Sequence, residues 1–227
     1  MTEQGLVLPE GLELQQTQAG LTLAGDGMTL TPDFADMLPR VRAGALAREL
    51  LVRAAKVKAP TGTVPLAVDA TAGLGEDSFL LAAAGFEVLL FERDPVIAAL
   101  LADALERARR ASATAEIAAR MTLTGSDSTE GLRHLDRTPD VVYLDPMFPE
   151  RRKSAAVKKK FQLLHHLERP CDDADALMDA ALAAHPKKIV VKRPVKGPHL
   201  AGVKPSYSLA GKAVRYDVIV PAIPKNR

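Results

Sequence analysis

The sequence has little cysteine: among its 227 residues, Cys171 alone carries a thiol. A single cysteine excludes an internal disulfide and any metal site that is built from several thiolates. A chain with this cysteine usage is typical of a reducing compartment. We therefore expect the protein to work in the cytoplasm, without disulfide bonds and without a thiolate-bound metal.

Long apolar segments are also missing. The most apolar segment, residues 79–91, is interrupted by Gly85 and Glu87, and it is shorter than the roughly 20 residues that a membrane-spanning helix needs. The first five residues show no basic start followed by an apolar stretch, so we expect no signal peptide. The sequence therefore predicts a soluble cytoplasmic protein with no membrane partner.

Neither sign of charge dominates the chain. Thirty basic residues against 28 acidic residues leave a formal net charge of +2, so any basic surface that binds a nucleic acid must be local. Hydrophobic residues make up 47% of the chain, which is too apolar for a disordered protein. This composition and length predict one globular domain with a small appendage.

The appendage is expected at the N-terminus. Between residues 11 and 33, apolar and polar residues alternate and glycines interrupt the alternation, which predicts short antiparallel strands. From residue 38 to residue 58 the apolar spacing predicts one amphipathic helix, ended by the Pro-Thr-Gly sequence at 60–62. We assign residues 1–60 to an N-terminal extension and residues 61–227 to the main domain.

The main domain alternates predicted strands with predicted helices. Such alternation favours an α/β fold, Rossmann-like, with a doubly wound and mostly parallel sheet. The strands are predicted at residues 66–69, 86–91, 121–124, 141–144, 188–192 and 214–220, and the helices at residues 77–84, 95–110 and 173–184.

A glycine-containing turn follows the first of these strands. Gly73 and Gly75 end the sequence Asp-Ala-Thr-Ala-Gly-Leu-Gly, where glycine lets the backbone turn tightly and lets a ligand approach the main chain. Glu92 lies 19 residues after Gly73, at the end of the second strand. A carboxylate in that place can accept hydrogen bonds from both hydroxyls of a ribose, so the pattern predicts a nucleoside-containing cofactor.

The charge beside this turn distinguishes two cofactors. A dinucleotide site has a third glycine, which lets the helix N-terminus meet a pyrophosphate. This chain has Ser78 there, preceded by Glu76 and Asp77. Two carboxylates repel a pyrophosphate and attract a ligand that carries an ammonium and a sulfonium group. The sequence therefore favours S-adenosylmethionine over NAD.

A second candidate segment follows the fourth strand of the main domain. The sequence Asp-Pro-Met-Phe-Pro occupies residues 145–149, and ligand chemistry in open α/β sheets takes place at the carboxyl ends of strands. The carboxylate of Asp145 and the carbonyl of Pro146 can accept the two hydrogens of an exocyclic amine, while Phe148 can stack on the base. We predict these three residues to be catalytic in the methylation of an amine.

Together the motifs resemble a known family. The glycine turn, the Glu-Arg pair at 92–93, Val-Val-Tyr-Leu-Asp-Pro-Met-Phe-Pro at 141–149 and Val-Val-Lys-Arg-Pro at 190–194 are similar to the small-subunit rRNA guanine-N2 methyltransferases, the RsmJ family. The resemblance runs from about residue 65 to residue 216. It implies a class I S-adenosylmethionine-dependent fold that methylates the exocyclic N2 of a guanine, with 16S rRNA or the small ribosomal subunit as partner.

The same resemblance implies cofactor contacts, which extend those expected from the glycine turn. The predicted cofactor-binding residues are Asp69, Gly73, Gly75, Glu76, Asp77, Glu92, Arg93, Ser126, Asp127 and Asp145.

Basic residues cluster directly after the Asp-Pro-Met-Phe-Pro segment and again around the fifth strand. Local positive charge beside a base pocket is typical of phosphate contacts. The residues predicted to bind RNA are Arg151, Arg152, Lys153, Lys158, Lys159, Lys192 and Arg193. No metal site is predicted, because the adjacent His165 and His166 have no further histidine or cysteine at ligand spacing.

Three other functions stay open at this level. The enzyme could methylate another amine, such as an adenine in DNA, a different rRNA site or a protein amide, although the basic clusters disfavour a protein substrate. The glycine turn and Glu92 also suit an NAD(P)-dependent oxidoreductase. A non-catalytic RNA-binding module is the third possibility. The sequence does not determine the oligomeric state.

Overall fold

The computed structural model describes residues 6–58, 60–125, 127–146, 163–164, 167 and 173–222. Their strands form two sheets, one of three strands and one of seven. Within these ranges, no helix is long and apolar enough to cross a membrane.

The smaller sheet lies near the N-terminus and is antiparallel. It consists of β1 (Leu12–Thr17), β2 (Gly20–Gly25) and β3 (Met28–Leu30), in that order. Its buried Leu23 and Leu30 lie in one apolar cluster with the first turns of the helix that begins at residue 95. The antiparallel strands expected from the alternating pattern are therefore confirmed.

The larger sheet has seven strands, and five of them are mutually parallel. The strands are β4 (Leu66–Asp69), β5 (Glu87–Phe91), β6 (Met121–Gly125), β7 (Val141–Leu144), β8 (Lys188–Pro194), β9 (Tyr207–Ala210) and β10 (Val214–Ile219). Their order is β6-β5-β4-β7-β8-β10-β9. The sheet is parallel from β6 to β8, and β10 pairs antiparallel with both of its neighbours. The predicted mostly parallel α/β fold is confirmed.

Eight α-helices are present among the described residues. They are α1 (Leu38–Val41), α2 (Ala43–Leu46), α3 (Leu50–Ala55), α4 (Glu76–Ala83), α5 (Pro95–Arg110), α6 (Ala115–Ala118), α7 (Ser128–Gly131) and α8 (Ala174–Ala183). The longest, α5, begins where Asp94 accepts hydrogen bonds from two backbone N–H groups and proline occupies the first helical position.

The single amphipathic helix predicted for residues 38–58 is wrong. The structure has three short helices there, because the backbone leaves the helical region at Arg42 (ψ 140°) and at Glu49 (ψ 125°). Each break changes the direction of the chain, so that Met37 and Leu51 can both be buried in the core. Tertiary packing has outweighed the helical periodicity of the sequence.

The sheet is covered on both faces, with a separate apolar cluster on each side. The cluster that contains α4 also includes residues of the predicted N-terminal extension, such as Leu51 and Ala54. Phe34 stacks on Phe79 with ring centroids 4.9 Å apart. The division into residues 1–60 and 61–227 therefore stays a prediction, and the two parts share one core.

Strand β9 was not expected from the sequence. It is an edge strand in which three of four residues are exposed, so it carries neither a buried apolar run nor a regular alternation. Its backbone is held by hydrogen bonding to β10, which no local pattern indicates. Edge strands of this kind are difficult to recognise from sequence for that reason.

The strand order determines where a ligand can bind. Chain connections run from β4 outward to β5 and β6 on one side, and from β7 outward to β8 on the other. The crevice at such a reversal, outside the carboxyl ends of the strands, is the usual ligand site of open α/β sheets. In this chain the reversal lies between β4 and β7, which end in Asp69 and Leu144.

Tight packing at Gly131 generates a stability prediction. A Cβ atom added to Gly131 would lie 2.1 Å from Cε1 of Phe91, which is 3% exposed. We expect Gly131→Ala to lower the free energy of unfolding by about 1–3 kcal/mol, because a buried ring must move. Urea unfolding would measure this. Gly44→Ala, where the nearest atom would be an arginine nitrogen at 3.9 Å, is the control that should not lose stability. Equal stability of both variants would contradict this packing.

Candidate functional site

The glycine turn and the segment after β7 are joined by hydrogen bonds. The backbone N–H of Ala70 donates to the carbonyl of Tyr143 at 3.0 Å. The backbone N–H of Asp145 donates to Oγ1 of Thr71 at 2.6 Å. The two candidate segments therefore lie side by side at the carboxyl ends of β4 and β7.

The two glycines of the turn serve different purposes. Both have a positive backbone angle φ, +55° at Gly73 and +77° at Gly75, which residues other than glycine rarely adopt. A Cβ at Gly75 would lie 2.8 Å from Leu101, whereas nothing lies within 4 Å of the position of a Cβ at Gly73. Gly75 is thus required by packing, whereas Gly73 has open space on the side where a Cβ would lie.

Glu92 holds the turn from the neighbouring strand. Its Oε2 accepts a hydrogen bond from the N–H of Gly73 at 2.7 Å, and its Oε1 accepts one from the N–H of Asp94 at 2.8 Å. Burial raises the pKa of Glu92, and these hydrogen bonds partly offset that effect. Because a carboxylate has about four acceptor positions, Glu92 can hold the turn and still accept bonds from ribose hydroxyls.

A lysine lies between the two carboxylates that face each other across the site. Nζ of Lys192 is 2.7 Å from Oδ2 of Asp77 and 2.9 Å from Oδ2 of Asp145. The hydroxyl of Tyr143 also donates to Oδ2 of Asp77, at 2.6 Å. We call Asp77, Lys192 and Asp145 the acidic centre.

The pKa shifts follow from these contacts. Burial lowers the pKa of Lys192, but the charges of Asp77 and Asp145 outweigh it, so that this pKa lies above its ordinary value. Burial raises the pKa of Asp77, but the charge and the hydrogen bond of Lys192 outweigh it and leave that pKa below its usual range. With formal charges, the acidic centre holds two carboxylates and one ammonium, which is one net negative charge.

Asp69 lies beneath the turn. It is 1% exposed, and its carboxylate accepts hydrogen bonds from Oγ of Ser78 at 2.5 Å and from the N–H of Thr71 at 3.1 Å. Burial raises its pKa to about 7. Asp69 thus supports the start of α4, and the prediction that it contacts the cofactor directly receives no support from its buried position.

Two predicted RNA-binding residues lie elsewhere than expected. Lys192 belongs to the acidic centre, where its ammonium is already paired. Arg193 is 1% exposed, and its Nε and Nη2 donate to the carbonyl of Pro198 at 2.8 and 2.6 Å. Because successive residues of a strand point to opposite faces, the Lys-Arg pair is divided between the two sides of the sheet. Neither side chain is placed as a surface contact for phosphate.

Four other predicted site residues keep their roles only as predictions. Glu76 lines a small cavity, and Pro146 is buried. Arg93 is exposed and forms an ion pair with Asp173, while Asp127 caps α7 by accepting bonds from two backbone N–H groups. The remaining predicted residues lie outside the described residues: Ser126, Phe148, Arg151, Arg152, Lys153, Lys158 and Lys159.

Sequence reasoning missed three residues of the site, namely Thr71, Tyr143 and Tyr216. Thr71 was within the quoted turn, but its contact with Asp145 depends on strand order. Tyr143 read as one apolar residue of a buried strand, although its hydroxyl reaches Asp77. Tyr216 lies opposite Lys192 in the pairing of β10 with β8. The one available signal was the alternation of side chains along β7 and β10, because every second residue of a strand points to the same face of the sheet.

The described residues contain no group of three or more histidine, cysteine, aspartate or glutamate residues that could hold a metal ion.

Comparison with known proteins supports a methyltransferase fold. Residues 6–221 match the model of a family described as "Putative SAM-dependent methyltransferase". The crystal structure of a SAM-dependent methyltransferase from Neisseria gonorrhoeae is similar with a TM-score of 0.73 and 34% sequence identity, over 95% of this chain and 85% of that chain. The fold class and the resemblance expected from the sequence are confirmed, and the NAD(P)-dependent oxidoreductase is not favoured.

Curated relatives carry the name "Ribosomal RNA small subunit methyltransferase J". One from Pseudomonas aeruginosa is 56% identical over 158 residues, which are 69% of this chain and 60% of the relative. One from Neisseria meningitidis serogroup C is 43% identical over 204 residues, which are 88% of this chain and 80% of the relative. The chain thus spans about 60% of the length of the Pseudomonas relative that it matches.

The residues of the site fit S-adenosylmethionine, the cofactor of this family. Gly73 has open space on the side where a Cβ would lie, which lets a ligand come close to the turn, and Glu92 offers acceptor positions for ribose hydroxyls. The net negative charge of the acidic centre suits a ligand with an ammonium and a sulfonium group. These features come from the turn between β4 and α4, the residue after β5, the first turn of α4, the residue after β7 and strand β8.

The buried carboxyl of Asp69 generates a pH prediction. Its pKa of about 7 in the folded chain exceeds its ordinary value, so the folded state binds more protons and this stabilising contribution is lost as pH rises through about 7. We expect the wild type to lose stability relative to Asp69→Asn between pH 5 and pH 8. Urea unfolding at several pH values would measure the difference, and a difference that is independent of pH would contradict the shift.

The position of Lys192 generates a second prediction. Lys192→Met removes the cation between two carboxylates, and we expect it to lower the free energy of unfolding by about 2 kcal/mol at pH 7. The matched control is Lys196→Met, because Lys196 is exposed and is absent from the acidic centre. Thermal unfolding should show a melting temperature several degrees lower for the first variant alone. Equal melting temperatures would mean that the ion pairs contribute nothing.

Proposed function

The chain belongs to the family of SAM-dependent methyltransferases, and from that premise we propose that it methylates the exocyclic N2 amine of a guanine in 16S rRNA. The names of the curated relatives support a substrate in the small ribosomal subunit. The motifs at 69–75 and 141–149, which resemble the guanine-N2 methyltransferases, support the choice of amine. The cytoplasmic location predicted from the sequence agrees with such a substrate.

One observation carries this proposal: Asp145 is hydrogen-bonded to the glycine turn between β4 and α4. Its N–H donates to Thr71 of that turn, and its carboxylate contacts the ammonium of Lys192, which also contacts Asp77 at the start of α4. A carboxylate that can accept hydrogen bonds from an amine is therefore fixed beside the expected binding site of the methyl donor. Such fixed placement of two reactants is a major source of catalytic rate.

The chemistry required of the protein is chiefly orientation. When bound, S-adenosylmethionine supplies an electrophilic methyl group on a sulfonium sulfur. The exocyclic amine of guanine is almost non-basic, because its lone pair is delocalised into the ring. We propose that Asp145 and the carbonyl of Pro146 accept its two hydrogens and so direct the lone pair at the methyl group. Phe148 is proposed to stack on the base.

The proton balance follows from the same arrangement. Methyl transfer would form an N–C bond in place of the S–C bond, and the positive charge would pass from the methyl donor to the nitrogen. The nitrogen then releases one proton. We propose that the carboxylate of Asp145, which already accepts a hydrogen bond from that amine, receives this proton and passes it to water. Lys192 cannot receive this proton, because its raised pKa keeps its side chain in the protonated ammonium form.

The decisive experiment is Asp145→Ala, assayed for methyl transfer to small-subunit rRNA. We expect turnover to fall at least about a hundredfold, because the amine loses its acceptor. The affinity for S-adenosylhomocysteine, measured by calorimetry, should stay within a few-fold of wild type. Asp136→Ala is the matched control, because Asp136 is exposed in the loop that enters β7 at its opposite end.

The outcomes separate the parts of the proposal. Wild-type turnover by Asp145→Ala would remove the role that we assign to this carboxylate. If the wild type methylated DNA or a protein and left rRNA unmodified, the proposed substrate would be wrong. Mass mapping of the rRNA product would identify the modified nucleotide and distinguish N2 of guanine from every other amine.

A further inference from the structure

A groove of about 370 Å³ lies between the short N-terminal helices and β10. This volume is in the range of small-molecule binding sites. Its walls include Arg40, Arg48 and Glu49 on the side of the N-terminal helices, and Tyr216 on β10. The groove therefore contains two arginines, although the chain as a whole is almost neutral.

The groove adjoins the acidic centre. Tyr216 forms one wall, and it is paired directly with Lys192 across the antiparallel strands β10 and β8. Residues that are paired in this way project to the same face of the sheet, with Cα atoms about 4.5–5.5 Å apart. Burial raises the pKa of Tyr216, and the nearby charge of Asp77 raises it further. The side chain of Tyr216 thus lies between the inner end of the groove and the ammonium of Lys192, which contacts Asp145.

The two arginines of the groove are in different situations. The guanidinium of Arg40 forms a bidentate ion pair with Glu49, at 2.9 and 2.8 Å, and this hydrogen-bonded pair raises the pKa of Arg40. Arg48 is exposed, and among the residues that the structure describes its guanidinium has no hydrogen bond or ion pair, although its backbone N–H donates to the carbonyl of Ala45. Arg48 is therefore the arginine of the groove whose fork is available to an anion.

We propose that this groove holds the phosphodiester backbone of the RNA strand next to the target nucleotide, and that Arg48 contacts its phosphate. The inference rests on the proposed rRNA substrate. An arginine fork matches a phosphate in charge and in geometry. The negative charge of the acidic centre repels phosphates, so the strand lies along the groove while only the base reaches Asp145. The N-terminal extension thereby becomes part of the substrate site.

The test compares Arg48→Ala with Arg53→Ala. Arg53 is exposed on α3 and is absent from the walls of the groove, so both variants lose the same charge from the same region. With small-subunit rRNA as substrate, we expect Arg48→Ala to raise KM about tenfold with little change in kcat. The slope of the logarithm of RNA affinity against the logarithm of salt concentration should become shallower by about 0.7–1. Arg53→Ala should change neither quantity, and Arg48→Lys should recover most of the affinity.

Each other result has a definite meaning. If Arg48→Ala and Arg53→Ala behave alike, the groove does not hold the strand, whereas rRNA methylation by the wild type would still support the proposed function. If Arg48→Ala lowers the affinity for S-adenosylhomocysteine, measured by calorimetry, as much as it lowers the affinity for RNA, the groove belongs to the cofactor site and the inference is overturned. If the wild type methylates no rRNA, the proposed function fails first.

Discussion

The contact of one ammonium with two carboxylates is the constraint on which the site depends. Asp69, Asp77 and Asp145 converge where β4, α4 and β7 meet, and three ionised carboxylates at such short range would repel each other strongly. Lys192 compensates two of them, at 2.7 and 2.9 Å. The third carboxyl is relieved in another way, because its raised pKa leaves it partly protonated near neutral pH.

The fold supplies the geometry that makes this arrangement possible. Because β4 and β7 are adjacent although 71 residues lie between Asp69 and Val141, the turn after one strand and the segment after the other are hydrogen-bonded to each other. Strand β8 then brings Lys192 beside them, and α4 directs Asp77 at the same point. The polar side chains of the site thus come from the ends of β4 and β7, from β8 and from the first turn of α4, and no single loop contains the site.

Charge is divided between two neighbouring surfaces. The acidic centre and Glu92 carry the negative charge that suits a cationic methyl donor, while the groove beside Tyr216 carries the arginines that suit a polyanion. A net charge of +2, which is the balance of 30 basic and 28 acidic residues over the whole chain, does not reveal this division. Lys192 is half-buried and Arg193 is buried, so a basic dipeptide is no guide to surface charge unless the strand that carries it is known.

The sequence by itself determined the alternation of strands and helices, the glycine turn, the acid after β5 and the carboxylate after β7. These are local signals, since glycine conformations, caps and apolar runs act over a few residues. Only the tertiary structure decided that residues 38–55 form three short helices, that Lys192 faces inward and that Tyr216 separates a groove from the acidic centre. Those outcomes depend on strand order and on packing between residues more than a hundred positions apart, whose energies no short stretch of sequence contains.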